Sequence, residues 1–255
     1  MPLLSIENVS HLYLSKSQTS IALENISMSI EEGEFISFLG PSGCGKTTLL
    51  SIISGLFKPT EGSVKLYGKD VLIHRQDIGY MLQQDYLFPW KTIKENILIG
   101  LKLLKQLDQK HEEQTISLLE EIGLKDVLTK FPRELSGGMR QRVALVRTLA
   151  TNPTLLLLDE PFSALDLQTK LKLEDIVSST LKSFKKTAIL VTHDIGEAVA
   201  MSDRVFLLSP KPGKIHKEFD IPNELKGLSP FNARNHPAFS DVFQLIWKEM
   251  EQLDG

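Results

Sequence analysis

The sequence has a single cysteine, Cys44, among its 255 residues. One cysteine cannot form a disulfide within the chain, so the fold cannot depend on such a bridge. No stretch approaches the ~18 uninterrupted apolar residues that a membrane-spanning helix needs. Residues 1–7 lack the basic and apolar regions of a secretory leader, so none is expected. If the protein works at a membrane, another chain must attach it there.

Neither sign of charge dominates, since 29 Lys and Arg are balanced by 32 Asp and Glu for a net charge of −3. This balance gives no reason to expect a nucleic-acid partner. Hydrophobic residues make up 42% of the chain and charged residues 24%, so a sizeable core is expected rather than disorder. The length suits one large α/β domain, or a core with one insertion.

Short apolar runs that end in polar residues predict buried strands. Leu155–Leu158 and Ala188–Val191 are two such runs, and residues 4–10 and 21–39 predict short strands joined by turns. Residues 85–150 have a more helical pattern. Strands that alternate with helices indicate a largely parallel sheet, in which ligands bind beyond the carboxyl ends of the strands. We therefore predict an α/β core interrupted by a helical insertion.

One glycine-rich stretch matches the phosphate-loop pattern G-x-x-x-x-G-K-[ST]: Gly40, Pro41, Ser42, Gly43, Cys44, Gly45, Lys46 and Thr47, with Thr48 next. Small residues let such a loop wrap a phosphate, and the following helix presents its positive N-terminal end to the same anion. Lys46 is then placed to reach the β- and γ-phosphates, and the Thr47 hydroxyl to bind Mg²⁺. Cys44 is interpreted either as a reactive thiol or, in the plainer interpretation, as a small side chain at a variable position.

Two acids follow directly after the apolar run Leu155–Leu158. Asp159 is placed to hold Mg²⁺, directly or through water, and Glu160 to polarise an attacking water. Two solvated acids at a strand end are common, so this motif is weak alone. Together with the phosphate loop it predicts a nucleoside triphosphatase.

The residues Ser136, Gly137 and Gly138, which follow Leu135, distinguish among the many families that have a phosphate loop. Ser136 is a good N-cap, and the bare glycines leave backbone N–H groups accessible at a helix start. An ordinary capped helix is the alternative interpretation. With the phosphate loop, the chain would have two anion-binding helix ends.

With these motifs the chain resembles the ATP-binding cassette (ABC) family. Leu-Ser-Gly-Gly resembles the family's signature motif, and the resemblance covers about residues 4–215. It implies a P-loop NTPase fold of the α/β class, with a mainly parallel sheet, an antiparallel β subdomain and an inserted helical subdomain. The expected divisions are a nucleotide-binding core in two parts (1–84 and 151–215), the helical insertion with the signature (85–150), and a C-terminal tail and helix (216–255).

The resemblance assigns roles to further positions. Gln83 is similar to the Q-loop glutamine, residues 163–166 to the D-loop, His193 to the switch histidine that bonds the γ-phosphate, and Tyr13 to the aromatic residue that stacks on adenine. ATP and Mg²⁺ are the implied cofactors. The expected catalytic residues are Lys46, Gln83, Glu160 and His193, and the expected metal ligands are Thr47, Gln83 and Asp159.

The resemblance also implies partners. In the family, two cassettes pair head to tail, with ATP between the phosphate loop of one and the signature helix of the other. This sequence has each half-site once, so a complete site requires a second cassette, most simply a copy of this chain. Transmembrane permease subunits and, indirectly, a solute-binding protein are the other expected partners, at the cytoplasmic face of the cell membrane. No nucleic-acid partner is expected.

Two segments resemble the nitrate, sulfonate and taurine importer group: residues 83–90, which end in Leu-Phe-Pro-Trp, and residues 208–215. The group's cargo also includes thiamine-precursor pyrimidines, and other subunits recognise it. The expected function is therefore the ATP-hydrolysing subunit of an importer, and the alternatives are a soluble non-transport ABC ATPase or an exporter cassette. Trp90 either docks on a membrane subunit or is buried against the insertion. Pro237 is expected to open a last helix that packs on the core.

Overall fold

A computed structural model describes residues 1–14, 19–163 and 165–254 of the chain. The strands are β1 (Leu4–Leu14), β2 (Thr19–Ile30), β3 (Phe35–Leu39), β4 (Glu61–Leu66), β5 (Lys69–Asp70), β6 (Ile78–Met81), β7 (Leu155–Asp159), β8 (Thr187–Thr192), β9 (Arg204–Leu208) and β10 (Ile215–Asp220). The helices are α1 (Lys46–Ile53), α2 (Ile93–Ile97), α3 (Ile99–Leu103), α4 (Gln109–Glu121), α5 (Gly137–Leu149), α6 (Leu167–Ser183), α7 (Ile195–Met201), α8 (Asn223–Lys226), α9 (Pro230–Arg234) and α10 (Pro237–Asp254), and three short 3-10 turns lie at Val71–Ile73, Arg75–Asp77 and Pro132–Glu134.

The strands form two sheets. A four-stranded sheet has the order β2-β1-β4-β5 and is antiparallel, and a six-stranded sheet has the order β10-β9-β3-β8-β7-β6. In the larger sheet the five strands from β9 to β6 are parallel, and β10 pairs antiparallel with β9 at the edge. The predicted parallel sheet and antiparallel β subdomain are both present.

Strand β7 separates two hydrophobic layers. Successive side chains on a strand point to opposite faces. Leu156 and Leu158 pack with the helices of the insertion and α6, whereas Leu155 and Leu157 pack with α1 and the antiparallel sheet. All four side chains are almost fully buried, so β7 is fixed from both sides and delivers the acids at its end to a defined place.

The helical insertion is built from short, well-capped helices. Thr92 and Glu95 form a capping box at the start of α2, and Asp108 accepts a hydrogen bond from the His111 N–H at the start of α4. On the apolar side of α4, Leu119 is buried, and Ile122, which caps its C-terminal end, is buried in the same cluster. The insertion therefore has its own local folding signals and joins the core of the larger sheet.

The C-terminal helix α10 begins at Pro237 as expected and packs on the protein core. Val242 and Ile246 are buried among residues of α7, β9 and β10. On another side of the helix, Phe239, Phe243 and Trp247 stack in turn, with ring centroids 6.2 Å apart. Among the helices of the described chain, none is both long enough and apolar enough to span a membrane.

Candidate functional site

The phosphate loop connects β3 to α1, and its glycines adopt backbone conformations that other residues rarely adopt. Gly40, Gly43 and Gly45 have φ of 155°, 79° and 96°. A Cβ atom on Gly40 would lie 2.7 Å from the Leu208 carbonyl oxygen, and one on Gly45 would lie 2.6 Å from the Leu23 side chain. The loop is therefore restricted to glycine by both conformation and space.

The Lys46 side chain is buried and folds over this loop. Its ammonium donates to the carbonyl oxygens of Gly40 and Pro41, at 2.6 and 2.9 Å. The fully buried Cys44 sulfur lies 3.6 Å from the same nitrogen. Because the thiol has no access to solvent, the structure favours the small-side-chain interpretation of Cys44.

The acid at the end of β7 lies beside the helix that follows the loop. Thr47 Oγ1 donates to Asp159 Oδ1 at 3.3 Å, and the Tyr80 hydroxyl donates to Asp159 Oδ2 at 3.4 Å. Burial raises the pKa of the Asp159 carboxyl, and it also raises the pKa of Tyr80, which keeps the phenol protonated. A nearby cation would stabilise the ionised carboxylate. A hydroxyl and a carboxylate side by side are hard oxygen donors that fit Mg²⁺.

Three of the predicted catalytic residues meet at the next position along the chain. Glu160 Oε2 lies 3.3 Å from Gln83 Nε2 and 3.3 Å from His193 Nδ1. The Glu160 backbone has a φ of 45°, and its N–H donates to the Val191 carbonyl at 2.9 Å. The end of β7 is thereby tied to β8, which places the carboxylate between the amide and the imidazole.

A cleft of about 340 Å³ joins these groups to the antiparallel sheet. Tyr13, Ser42, Thr48, Glu160 and Lys211 are among its lining residues. The Tyr13 hydroxyl lies 3.1 Å from Thr48 Oγ1, and its ring is partly exposed at the rim. The ring makes T-shaped contacts with His11 and Phe57, and its exposed part lies where a planar group that enters the cleft would meet it.

The signature residues lie elsewhere on the surface. Ser136 accepts a hydrogen bond from the Met139 N–H at 3.3 Å and caps α5, as predicted, and it is exposed together with Gly137. The described residues that line the cleft include none of Ser136, Gly137 and Gly138. One copy of the chain does not bring its two anion-binding helix ends together.

The D-loop prediction is described only in part. Ala164 lies outside the described residues. Ser163 Oγ lies 3.5 Å from Gln83 Nε2, and the Asp166 side chain caps α6 by accepting from the Thr169 N–H at 3.0 Å. The described part of this segment therefore connects the Glu160 site to the start of α6.

The loop after Gln83 is held by side chains of α5. Gln141 donates to the Gln83 carbonyl at 3.1 Å, and Arg140 pairs with Asp85 at 2.9 Å. Arg147 donates to the Asp85 and Tyr86 carbonyls at 2.6 and 2.8 Å. Residues 83–86 are thus attached to the helix that Ser136 caps.

At the other end of this loop, Trp90 projects from the surface. Trp90 is 71% exposed and makes an edge-on contact with Phe88, with ring centroids 5.6 Å apart. The fully buried Asn96 holds the loop by accepting from the Phe88 N–H and donating to three loop carbonyls. A firmly held loop with an exposed indole disagrees with the interpretation that Trp90 is buried against the insertion.

Sequence reasoning did not assign Tyr80, Lys211 or Gly213 to the site. Gly213 lies against the Cys44 carbonyl with no space for a Cβ atom, and it exchanges backbone hydrogen bonds of 3.0 Å with Ala22 and Glu24. This clamp brings Lys211 into the cleft, near Gly43. The signal was present in residues 208–215, which were recognised only as a mark of the importer group.

Comparison with known protein families identifies the family of this chain. The family described as "ABC transporter" matches residues 23–163, more than half of the chain. The chain belongs to the ABC transporter family. The resemblance inferred from the phosphate loop and the signature stretch is thereby confirmed.

Three relatives extend the match over nearly the whole chain. An uncharacterised ABC transporter ATP-binding protein of Bacillus subtilis is 58% identical, covering 100% of this chain and 98% of the relative. A taurine import ATP-binding protein of Jannaschia sp. is 38% identical, covering 99% of this chain and 97% of the relative. An aliphatic sulfonates import ATP-binding protein of Bacillus licheniformis is 42% identical over 92% and 88%. The names of the taurine and sulfonates relatives confirm the narrower resemblance to the importer group.

A solved structure supports the fold independently. It is an ATP-binding cassette described as dimeric, in a post-hydrolysis state and bound to ADP and Pi. It is 33% identical, covers 86% of this chain and 99% of its own length, and superposes with a TM-score of 0.76. The predicted ABC ATPase fold is therefore confirmed.

Proposed function

We propose that this chain is the ATP-hydrolysing subunit of an ABC importer that energises uptake of a small solute. The observation that carries the hydrolytic role is the convergence of Gln83 and His193 on the Glu160 carboxylate, beside the phosphate loop. The importer names of the relatives favour uptake over export and over a non-transport ABC ATPase. A sulfonate-, taurine- or nitrate-type solute is the proposed cargo, and a thiamine-precursor pyrimidine is the other candidate.

The geometry supports a division of roles within the cleft. The phosphate loop and Lys46 hold the phosphates of ATP, while Tyr13 offers its ring to adenine. Thr47 and Asp159, with the Gln83 amide, would hold Mg²⁺, which supplies positive charge to the β- and γ-phosphates when it is bound. Lys211 is an additional cation at the same cleft.

Glu160 is the proposed general base, and His193 orients it. The Gln83 amide and the His193 imidazole both contact Glu160 Oε2, which favours one direction of the carboxylate. The attacking water would give its proton to Glu160, and a positioned base contributes typically 10²–10⁴-fold to the rate. The γ-phosphate contact that the family resemblance assigns to His193 is part of the same proposal.

The proposed assembly has two copies of the chain. Ser136, Gly137 and Gly138 lie outside the chain's own cleft, so they are available to close the cleft of a second copy. The dimeric state of the solved neighbour supports this arrangement. Transmembrane permease subunits at the cytoplasmic face of the membrane, and indirectly a solute-binding protein, complete the proposed transporter.

The hydrolytic role is tested with Glu160→Gln and Lys46→Ala. Glu160→Gln should keep binding of a fluorescent ATP analogue but lose about 10²–10⁴-fold in phosphate release, because an amide cannot accept the proton. Lys46→Ala should weaken nucleotide binding or turnover. Glu120→Gln, the same change at an exposed position of α4, is the control and should be unaffected. Near-normal turnover by Glu160→Gln would refute the base assignment.

A further inference from the structure

A network of buried charge lies behind His193 and centres on Lys170 of α6. The Lys170 ammonium pairs with Asp194 Oδ2 at 2.6 Å and with Glu197 Oε1 at 2.5 Å. The side chains of Lys170 and Glu197 are 15% and 4% exposed, whereas that of Asp194 is 39% exposed. Lys170 and Glu197 are little exposed to water, so removing one of them would leave the other charge buried without its partner, which is costly.

The carboxylates in this network hold the backbone on both sides of His193. The Thr192 hydroxyl donates to Glu197 Oε2 and accepts from the Asp194 N–H at 3.0 Å. Asp194 Oδ1 in turn accepts from the Glu197 N–H at 3.1 Å and caps α7. The turn that presents His193 is therefore fixed through its two neighbours.

This matters because the imidazole has little packing of its own. The His193 side chain is 59% exposed, and its Nδ1 lies 3.3 Å from Glu160 Oε2. Its direction is therefore set mainly by the backbone of Thr192 and Asp194 rather than by surrounding side chains.

Lys170 is a cation that faces both carboxylates. Burial alone would favour the neutral amine, but the hydrogen bonds and charges of Asp194 and Glu197 together outweigh burial and raise the pKa of Lys170. For Asp194, burial acts to raise the pKa, and the pairing with Lys170 reverses this and lowers it. Without the ammonium, two neighbouring carboxylates would repel each other and the turn would shift.

We propose that Lys170 is a positioning residue for ATP hydrolysis, which fixes the Thr192–Asp194 turn so that His193 faces Glu160. The role rests on the proposed ATPase function. It concerns turnover and not nucleotide binding, because the contacts of Lys170 lie behind the turn and Lys170 does not line the cleft. Lys170 also follows Asp166 by one helical turn, so it joins the start of α6 to the histidine.

The first test compares Lys170→Met with Glu174→Gln. Glu174 is fully buried one turn further along α6, and its ion pair is with Arg234 rather than with the Thr192–Asp194 turn, so its substitution changes a buried carboxyl group without removing a contact to that turn. Lys170→Met should lower kcat about 10- to 100-fold, because a misplacement of about 1 Å costs on that order, with ATP-analogue affinity unchanged. Lys170→Arg should restore most of kcat, and Glu174→Gln should keep it.

The second test shows whether Lys170 acts through His193. In a double-mutant cycle, Lys170→Met should lower kcat in the wild-type background and have no further effect in His193→Ala. Additive losses, or a kcat loss that Glu174→Gln shares, would overturn the proposal. If Lys170→Met does not fold, Asp194→Asn replaces it, since Asn keeps the cap of α7 and weakens the pairing. An inactive wild type would count against the ATPase function itself, whereas an active Lys170→Met protein would count against the positioning role alone.

Discussion

Replacing Trp90 by alanine separates a docking role from a structural one. Trp90 is 71% exposed, so about 30% of its surface of up to ~250 Å² is buried, or ~75 Å². At ~25 cal/mol per Å², the substitution should destabilise the protein by ~2 kcal/mol at most. For a chain of this size that corresponds to a fall of about 4–8 °C in melting temperature. A fully buried tryptophan would cost ~3–5 kcal/mol.

The expected result for Trp90→Ala is a folded protein that hydrolyses ATP but assembles poorly with its permease subunits and supports little uptake. An exposed aromatic side chain on a fixed loop is a typical interface anchor, because docking then costs little conformational entropy. The measurements are thermal melting, phosphate release by the free subunit, copurification with the permease, and solute uptake in reconstituted vesicles.

The control uses the other tryptophan of the chain. Trp247 on α10 is 48% exposed and stacks on Phe243, so Trp247→Ala should lower the melting temperature at least as much as Trp90→Ala. It should nevertheless leave assembly and uptake normal. Trp247→Phe leaves Trp90 as the single indole, whose fluorescence should shift to the blue when the permease binds. Normal stability, assembly and uptake in Trp90→Ala would refute the docking role.

Three further predictions concern the dimer, the cleft and pH. Light scattering should show that ATP converts the Glu160→Gln variant to a dimer. Adding Ser136→Arg should abolish this pairing, because it places bulk and charge at the interface. A strict monomer of Glu160→Gln with ATP at high protein concentration would contradict the ATP-driven dimer. Lys211→Met should raise the KM for ATP severalfold with little change in kcat, and Lys211→Arg should restore it; an unchanged KM would exclude a phosphate contact. Burial raises the pKa of Glu174 from 4.5 to about 7, against the opposing charge of Arg234. Between pH 4.5 and 7 this carboxyl ionises in the unfolded chain but stays largely protonated in the folded protein, so the unfolded state is favoured as pH rises. Over this range the wild type should lose ~3 kcal/mol of stability relative to Glu174→Gln. Thermal melts of the two proteins measure this difference, and parallel pH dependences would contradict the prediction.

Much of the fold was predictable because its signals are local. The run Leu155–Leu158 is a buried strand, and α1 stops before Gly55, which has a φ of 72°. The predicted strands of residues 4–10 and 21–39 were too short at one end, since β1 continues to Leu14 and β2 begins at Thr19. Those extensions pair with each other across the antiparallel sheet, and pairing between strands is not visible in a single strand's pattern.

The site was predictable where a motif specifies it and not where distant segments meet. The phosphate loop, Asp159 and Glu160 were found from adjacent residues. The contact of Tyr80 with Asp159 spans 79 positions, and that of Arg147 with Asp85 spans 62. Such contacts depend on the order of strands in the sheet and on the path of the insertion, which the residues themselves do not encode in any short pattern.

The attachment of residues 83–86 to α5 has a mechanical consequence. Arg140, Gln141 and Arg147 clasp the loop along the first three turns of the helix, whose 13 residues span ~20 Å. Ser136 and residues 83–86 are therefore attached to the same helix, and Asn96 of α2 holds the part of the loop that leads to Trp90. If this helix turned so that Ser136 approached the nucleotide of a second copy, as the proposed dimer requires, residues 83–86 would turn with it and carry the displacement toward Trp90.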